Sequence, residues 1–191
     1  VAVSREQIIQ KAIRHLGRDP AAPVGELAAA IGVSRATMHR HFATRDDLVR
    51  VLGQRALSSW ARIHQTAGIA EAVADGGRER IEEALRRLTE ALVADVEYYG
   101  FALTNYQMSE LPGLIEQVDT LLDAELAFYE AAQRAGILRA DMPVRWIGQA
   151  MVGLLVACRE VLRHGDIARK DAERLVIDSF LQGHAARPHH A

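Results

Sequence analysis

Residues 23 to 42 read PVGELAAAIGVSRATMHRHF, and this stretch dictates two short helices joined by a tight turn. Pro23 suits a first helical position, where its missing N–H costs nothing. The run that it opens ends at Ile31, and Gly32 supplies the left-handed backbone that a tight turn requires. Ser34 then caps a further short helix that reaches Phe42. Ala28 is small where the two helices must come close, and Leu27, Ile31, Val33, Met38 and Phe42 fill the wedge between them. Arg35, Ala36, Thr37, His39 and Arg40 are left on the far side, able to donate hydrogen bonds or to approach another surface closely. A recognition helix that enters the major groove of DNA presents such a face.

Working outward, nearly every periodic stretch has helical spacing, and no run shows the alternation of a strand. Ser4 with Gln7 forms a capping box, after which Ile9, Ala12, Ile13 and Leu16 line one face until Gly17 and Asp19-Pro20 break the helix. Thr44 with Asp47 marks another N-terminus, and Leu48, Val49, Leu52, Ala56, Leu57, Trp60 and Ile63 carry a long helix toward Ala67, with its end left open. Beyond Asp75-Gly76-Gly77, the residues Ile81, Leu85, Leu88, Leu92 and Val96 recur on one side. Glu82 and Glu83 stand four residues before Arg86 and Arg87 on the other, as on a solvent-facing helix. Further helices are expected over Leu114 to Ala135, Val144 to His164 and Asp171 to Gly183, followed by a frayed tail from Ala185 to Ala191. The chain is therefore expected to be all-α. An N-terminal three-helix bundle carrying the helix-turn-helix, residues 1–48, precedes a larger helical domain, residues 49–191.

Composition narrows the function. The 191 residues contain a single cysteine, Cys158, so no intramolecular disulfide forms and zinc-ligand spacings are absent, which fits a reducing cytoplasm. No stretch approaches the ~20 apolar residues of a membrane span. The net charge of −2 hides an asymmetry: up to Arg55 there are nine Lys/Arg against five Asp/Glu, or +4, leaving 14 basic and 20 acidic residues, or −6, in the remainder. A basic head on an acidic body suits a nucleic-acid partner at one end only. No phosphate-cradling glycine loop, zinc-protease helix or nucleophile elbow occurs, so the chain is not read as an enzyme and needs no cofactor. His39-x-His41 and His189-His190 are not read as metal ligands, the first lying within the DNA motif and the second in the tail.

Leu27-Ala28, Gly32-Val33-Ser34, His39-Arg40-His41-Phe42 and Thr44-Arg45-Asp46-Asp47-Leu48 together resemble the N-terminal pattern of the TetR family of repressors. The likeness in motif covers about Ile9 to Leu52. It implies an Ω-like homodimer with two DNA-reading heads, and a body that binds an inducer and pairs through its last two long helices. Carried over by position, Ser34 satisfies the helix end and touches phosphate, while Arg35, Ala36 and Thr37 face base edges. Arg35 is the candidate for a bidentate contact to guanine. Arg40, His41 and Arg45 clamp the backbone of the DNA, with His41 equally suited to closing the bundle. His39 stands where the family usually has Tyr, and Pro23 and Gly25 replace its polar residues. These departures shift phosphate anchoring toward Arg40 and Arg45.

In the body, Trp60, His64, Tyr98, Phe101, Tyr106, Met108, Phe128 and Met151 come from helices that surround a cavity in the resembled fold. With His64, Asn105 and Gln107 as polar anchors, they imply a mostly hydrophobic or aromatic effector. Ile147, Ala150, Met151, Leu154, Ala157, Cys158 and Val161 form a wide apolar surface with small members that a partner helix can approach. Leu175, Val176, Ser179 and Phe180 would complete a four-helix dimer interface. Expected partners are thus a palindromic DNA operator, a second copy and a small-molecule effector. The competing readings are a regulator of the same fold without a ligand, and a helical ligand-binding or adaptor module without DNA function.

Overall fold

The computed structural model describes residues 3–16, 19, 22–104, 111 and 113–186. Among these the expected all-α class holds: α1 (Arg5–Leu16), α2 (Val24–Ile31), α3 (Arg35–His41), α4 (Arg45–Ala67), α5 (Ile69–Asp75), α6 (Arg78–Tyr99), α7 (Ile115–Arg134), α8 (Val144–His164) and α9 (Arg169–His184). A 3-10 turn, Gly100–Thr104, follows α6. The chain resolves into two compact units, one comprising Val1–Ser58 with Glu97–Val118, the other Ser59–Val96 with Asp119–Ala191.

In the first unit the helix starts are set by side chains. Gln7 N–H donates to Ser4 Oγ at 3.2 Å while Ser4 N–H donates to Gln7 Oε1 at 2.9 Å. Thr44 and Asp47 repeat the exchange at 3.0 and 3.1 Å ahead of α4. Such reciprocal bonds satisfy amides that a helix start otherwise leaves unpaired. The core gathers Ile8, Ile9, Ala12, Ile13 and Leu16 of α1, Leu27, Ala28 and Ile31 of α2, Met38 of α3, Phe42, and Leu48, Val49 and Leu52 of α4. Lys11 Nζ donates to the Ile31 carbonyl at 2.9 Å, closing the C-terminal end of α2. The Arg5 guanidinium lies 4.9 Å from the centre of the Phe42 ring. Arg55 grips Glu6 with both terminal nitrogens, and that hydrogen bonding, helped by Gln10, holds the Glu6 carboxyl below its usual range.

The second unit is built around Ile81, Leu85 and Leu88 of α6, Phe128 and Tyr129 of α7, Ile147, Met151, Leu155 and Cys158 of α8, and Ala172, Val176 and Phe180 of α9. Fully burying each large apolar side chain contributes roughly 1.5–3 kcal/mol. Arg78 caps the far end of α7 by donating to the carbonyls of Ala135 at 3.2 Å and Gly136 at 2.9 Å. Gln133 Nε2 donates to Arg139 and Met142 carbonyls at 2.7 and 2.8 Å, fixing the turn into α8. Two details depart from the sequence reading. The long fourth helix ends at Ala67, in line with the sequence reading, where Gly68 is left-handed (φ 71°), but a separate short α5 that was not expected follows. On the outer face of α6, Glu83 pairs with both Arg86 and Arg87, whereas Glu82 reaches back to Arg78.

Candidate nucleic-acid interface

The turn between α2 and α3 has the geometry its residues require. Gly32 sits at φ 80°, its N–H donates to Ala29 O at 3.0 Å, and Val33 N–H reaches Ala28 O at 3.0 Å. These bonds close the end of α2 and release the chain for α3 within two residues. Ser34 Oγ accepts from Thr37 N–H at 3.0 Å and donates its own proton to Thr37 Oγ1 at 3.0 Å. Within α3, Met38 is wholly buried against the wedge and Phe42 at the C-cap is nearly so. Arg35, Ala36, His39 and Arg40 are exposed, and Thr37 and His41 half-buried.

Between α2, α3 and the start of α4 lies an open cleft of about 330 Å³, lined by Pro23, Gly25, Glu26, Arg35, His39, Thr44 and Arg45 among others. Three of the expected DNA contacts, Arg35, His39 and Arg45, meet there. His39 Nδ1 lies 3.1 Å from the Ala43 carbonyl, so as a donor it closes the end of α3 and leaves Nε2 as the nitrogen free to face a partner. Arg40 lies on the exposed side of α3, outside the cleft lining. His41 is different: its Nε2 is buried and unpartnered, which suits the bundle-closing role better than the phosphate contact.

The second unit holds a buried polar cluster. Glu125 of α7 is 6 % exposed. Its Oε2 accepts from Trp60 Nε1 at 2.8 Å and lies 2.9 Å from His64 Nε2, and its Oε1 accepts from Tyr129 Oη at 3.0 Å. Trp60 and His64 meet edge to face, ring centres 5.3 Å apart. Burial, and next the Glu125 charge, push the Tyr129 hydroxyl well above its ordinary value, so it stays a donor. His64 Nδ1 is buried with no partner. Sequence reasoning found Trp60 and His64 but missed Glu125. The available signal was a carboxylate in the apolar phase of α7, in step with Leu122, Leu126, Tyr129 and Ala132.

The remaining expected pocket residues are placed variously. Phe128 and Met151 are fully buried in the core of the second unit. Phe101 belongs to the core of the first unit, and Tyr98 is 53 % exposed. Asn105, Tyr106, Gln107 and Met108 lie outside the described residues, as do His189 and His190. Of the expected dimer surface, Ile147, Met151, Cys158, Val176 and Phe180 are buried within the chain's own core. Ala157, Leu175 and Ser179 are exposed, and Ala150, Leu154 and Val161 half-buried. Trp146, which sequence reasoning passed over, is 61 % exposed on α8, and its spacing to Ala150, Gly153 and Ala157 puts all four on one stripe.

Residues 6–52 match the family model described as bacterial regulatory proteins, tetR family. Over 162 residues the chain is 28 % identical to the HTH-type transcriptional repressor LfrR of Mycolicibacterium smegmatis, covering 85 % of this chain and 80 % of that one. It is 29 % identical over 166 residues to the HTH-type transcriptional regulator NfxB of Pseudomonas aeruginosa, covering 86 % and 85 %. The crystal structure of LfrR from Mycobacterium smegmatis in complex with proflavine superposes with a TM-score of 0.67 at 24 % identity, covering 94 % of each chain, a likeness of fold.

Proposed function

We propose that this chain, whose residues 6–52 match the tetR family of bacterial regulatory proteins, is a dimeric cytoplasmic repressor of that family, released from a palindromic operator by a small, mostly hydrophobic or aromatic ligand. The observation that carries the DNA half is α3 itself. One residue of its body is buried in the wedge, while Arg35, Ala36, His39 and Arg40 stand exposed behind a capped, glycine-closed turn. Arg35 and Thr37 read base edges, and Ser34, His39, Arg40 and Arg45 position the head on phosphates. In the dimer the two recognition helices enter successive major grooves about 34–36 Å apart. The exposed stripe of α8, with Leu175 and Ser179 of α9, faces the second copy.

The ligand half rests on the Glu125 cluster. A buried carboxylate held by Trp60, His64 and Tyr129, beside an unpartnered His64 nitrogen, suits a flat ring system that carries a hydrogen-bonding nitrogen. LfrR, similar in sequence and fold, has been solved with such a molecule, proflavine. Helix α4 supplies residues 45–58 to the first unit and 59–67 to the second, so a ligand beside Trp60 and His64 acts on the helix that carries Arg45. It releases DNA only to the extent that it binds the two states unequally.

The test is selection of bound sites from random DNA, followed by affinity measurements on the recovered site with and without proflavine. A two-fold symmetric site whose binding proflavine weakens is expected. Recovery of no preferred sequence would remove the operator reading, and a site unaffected by saturating proflavine would remove this ligand.

A further inference from the structure

Gly25 is unexplained by the helix that contains it. It is the second residue of α2 and does not adopt a left-handed backbone, so helix geometry alone would favour alanine there. What occupies the missing side chain's place is the Arg35 guanidinium. A Cβ built on Gly25 would stand 2.9 Å from Arg35 Nη2, 3.2 Å from Nε and 3.3 Å from Cζ. Any larger residue at position 25 is therefore incompatible with the Arg35 conformation observed. The clash falls on the far end of a flexible side chain, not on backbone, so Arg35 would move and the fold would not.

We propose that Gly25 is a positioning residue for DNA reading: its bare backbone is the surface against which the Arg35 guanidinium lies, and this sets which base pair Arg35 addresses. The inference rests on the reading of Arg35 as the base-contacting arginine. An arginine starting a seven-residue helix has four side-chain torsions and so many conformations open to it. Two planar faces are available to a guanidinium, and laying one against a helix backbone confines it to few of the orientations otherwise open. A bidentate guanine contact is sensitive to that confinement, because both N–H groups must meet O6 and N7 together. The cleft that Gly25 and Arg35 share is also lined by Glu26, His39 and Arg45.

The experiment compares wild type, Gly25→Ala, Arg35→Ala and the double variant, all as full-length protein, by selection from random DNA, by affinity on the selected site and on a scrambled duplex, and by thermal unfolding. Wild type is expected to prefer guanine at one position in each half-site, and Arg35→Ala to abolish that preference. Gly25→Ala should weaken it at the same position by roughly tenfold, within the range of a lost bidentate contact. Its affinity for scrambled DNA should stay within roughly twofold, because phosphate contacts are untouched. Its unfolding temperature should be equal or higher, and it should have no further effect when Arg35 is already alanine. Gly25→Ser should repeat the loss. If Arg35→Ala removes the guanine preference and Gly25→Ala retains it, the positioning role is wrong while the base contact stands. If Gly25→Ala lowers affinity for all duplexes alike, or still acts without Arg35, its role is structural. If Arg35→Ala leaves the preference intact, the base contact itself is wrong and the positioning role falls with it.

Discussion

Ser34 and Thr37 illustrate how little of a recognition helix is free to recognise. The Ser34 hydroxyl accepts from the Thr37 amide and donates to the Thr37 oxygen, so its proton is taken up within the helix start. Arg40 makes a cleaner probe, being exposed on α3. Arg40→Ala is expected to weaken binding evenly across sequences and to lower the slope of log affinity against log salt by about 1, as for one lost phosphate contact. A change confined to one base position would instead make Arg40 a reader. In the second unit, Glu125→Ala leaves Trp60, His64 and Tyr129 without their acceptor in a buried setting, and should cost at least about 2 kcal/mol in urea unfolding. A loss well under that would mean water reaches the cluster. Asp95, which accepts from Ser59 at 2.7 Å, is raised by burial against the pull of that bond and of Arg62. A carboxyl raised on folding contributes most to stability while protonated, so its contribution is full below pH 3.8 and is lost as pH rises through the raised value. Asp95→Asn should accordingly be more stable than wild type at neutral pH, with the difference closing in acid. Equal stability at neutral pH would show that Ser59 and Arg62 offset the burial.

Among the elements, the starts of helices follow from adjacent residues, and these were readable in advance. The Ser4-Gln7 and Thr44-Asp47 exchanges and the Ser34 cap all form as their spacing implies. Ser34→Ala should cost roughly 0.5–2 kcal/mol, measured by thermal or urea unfolding. Gly32→Ala adds the strain of a left-handed residue with a side chain, of order 1–2 kcal/mol. An unperturbed Gly32→Ala variant would mean that the turn has a second conformation. Where the determinant is not local, the sequence was silent. The apolar phase of α4 runs smoothly to Ala67, and only the backbone at Gly68 reveals that α5 is separate. Glu125 looks like an ordinary helical carboxylate until its three donors, two of them from α4, are brought to it by packing. Phe101 has the character of a pocket aromatic, yet its neighbours in space are those of the first unit's core. The exposed face of α3 was legible because amphipathic spacing states it directly. The contact of Arg35 with Gly25 was not, because it joins two helices through a side chain that has many conformations.

At the scale of the molecule, the basic charge is concentrated in the segment up to Arg55, +4 against −6 for the remainder, which is the segment that carries α1 to α3 and the first part of α4. On the proposed reading, the seven-residue α3 offers few base contacts, so specificity is expected to come from pairing two heads on one DNA. The exposed face of α8 is where that pairing is expected. Ala157→Arg places a long cation on the stripe of Trp146, Ala150 and Gly153, and should yield a monomer in sedimentation at micromolar concentration that no longer binds a two-fold site tightly. A dimer that survives this change would move the interface elsewhere. The most direct test of the central claim, that α3 docks a basic head on DNA, is the affinity of the intact protein for its selected site across a series of salt concentrations. A linear fall of log affinity with log salt is expected, losing about 10³-fold or more between ~50 and ~200 mM if six or more phosphates are contacted. Affinity that is weak and flat across that range would contradict it.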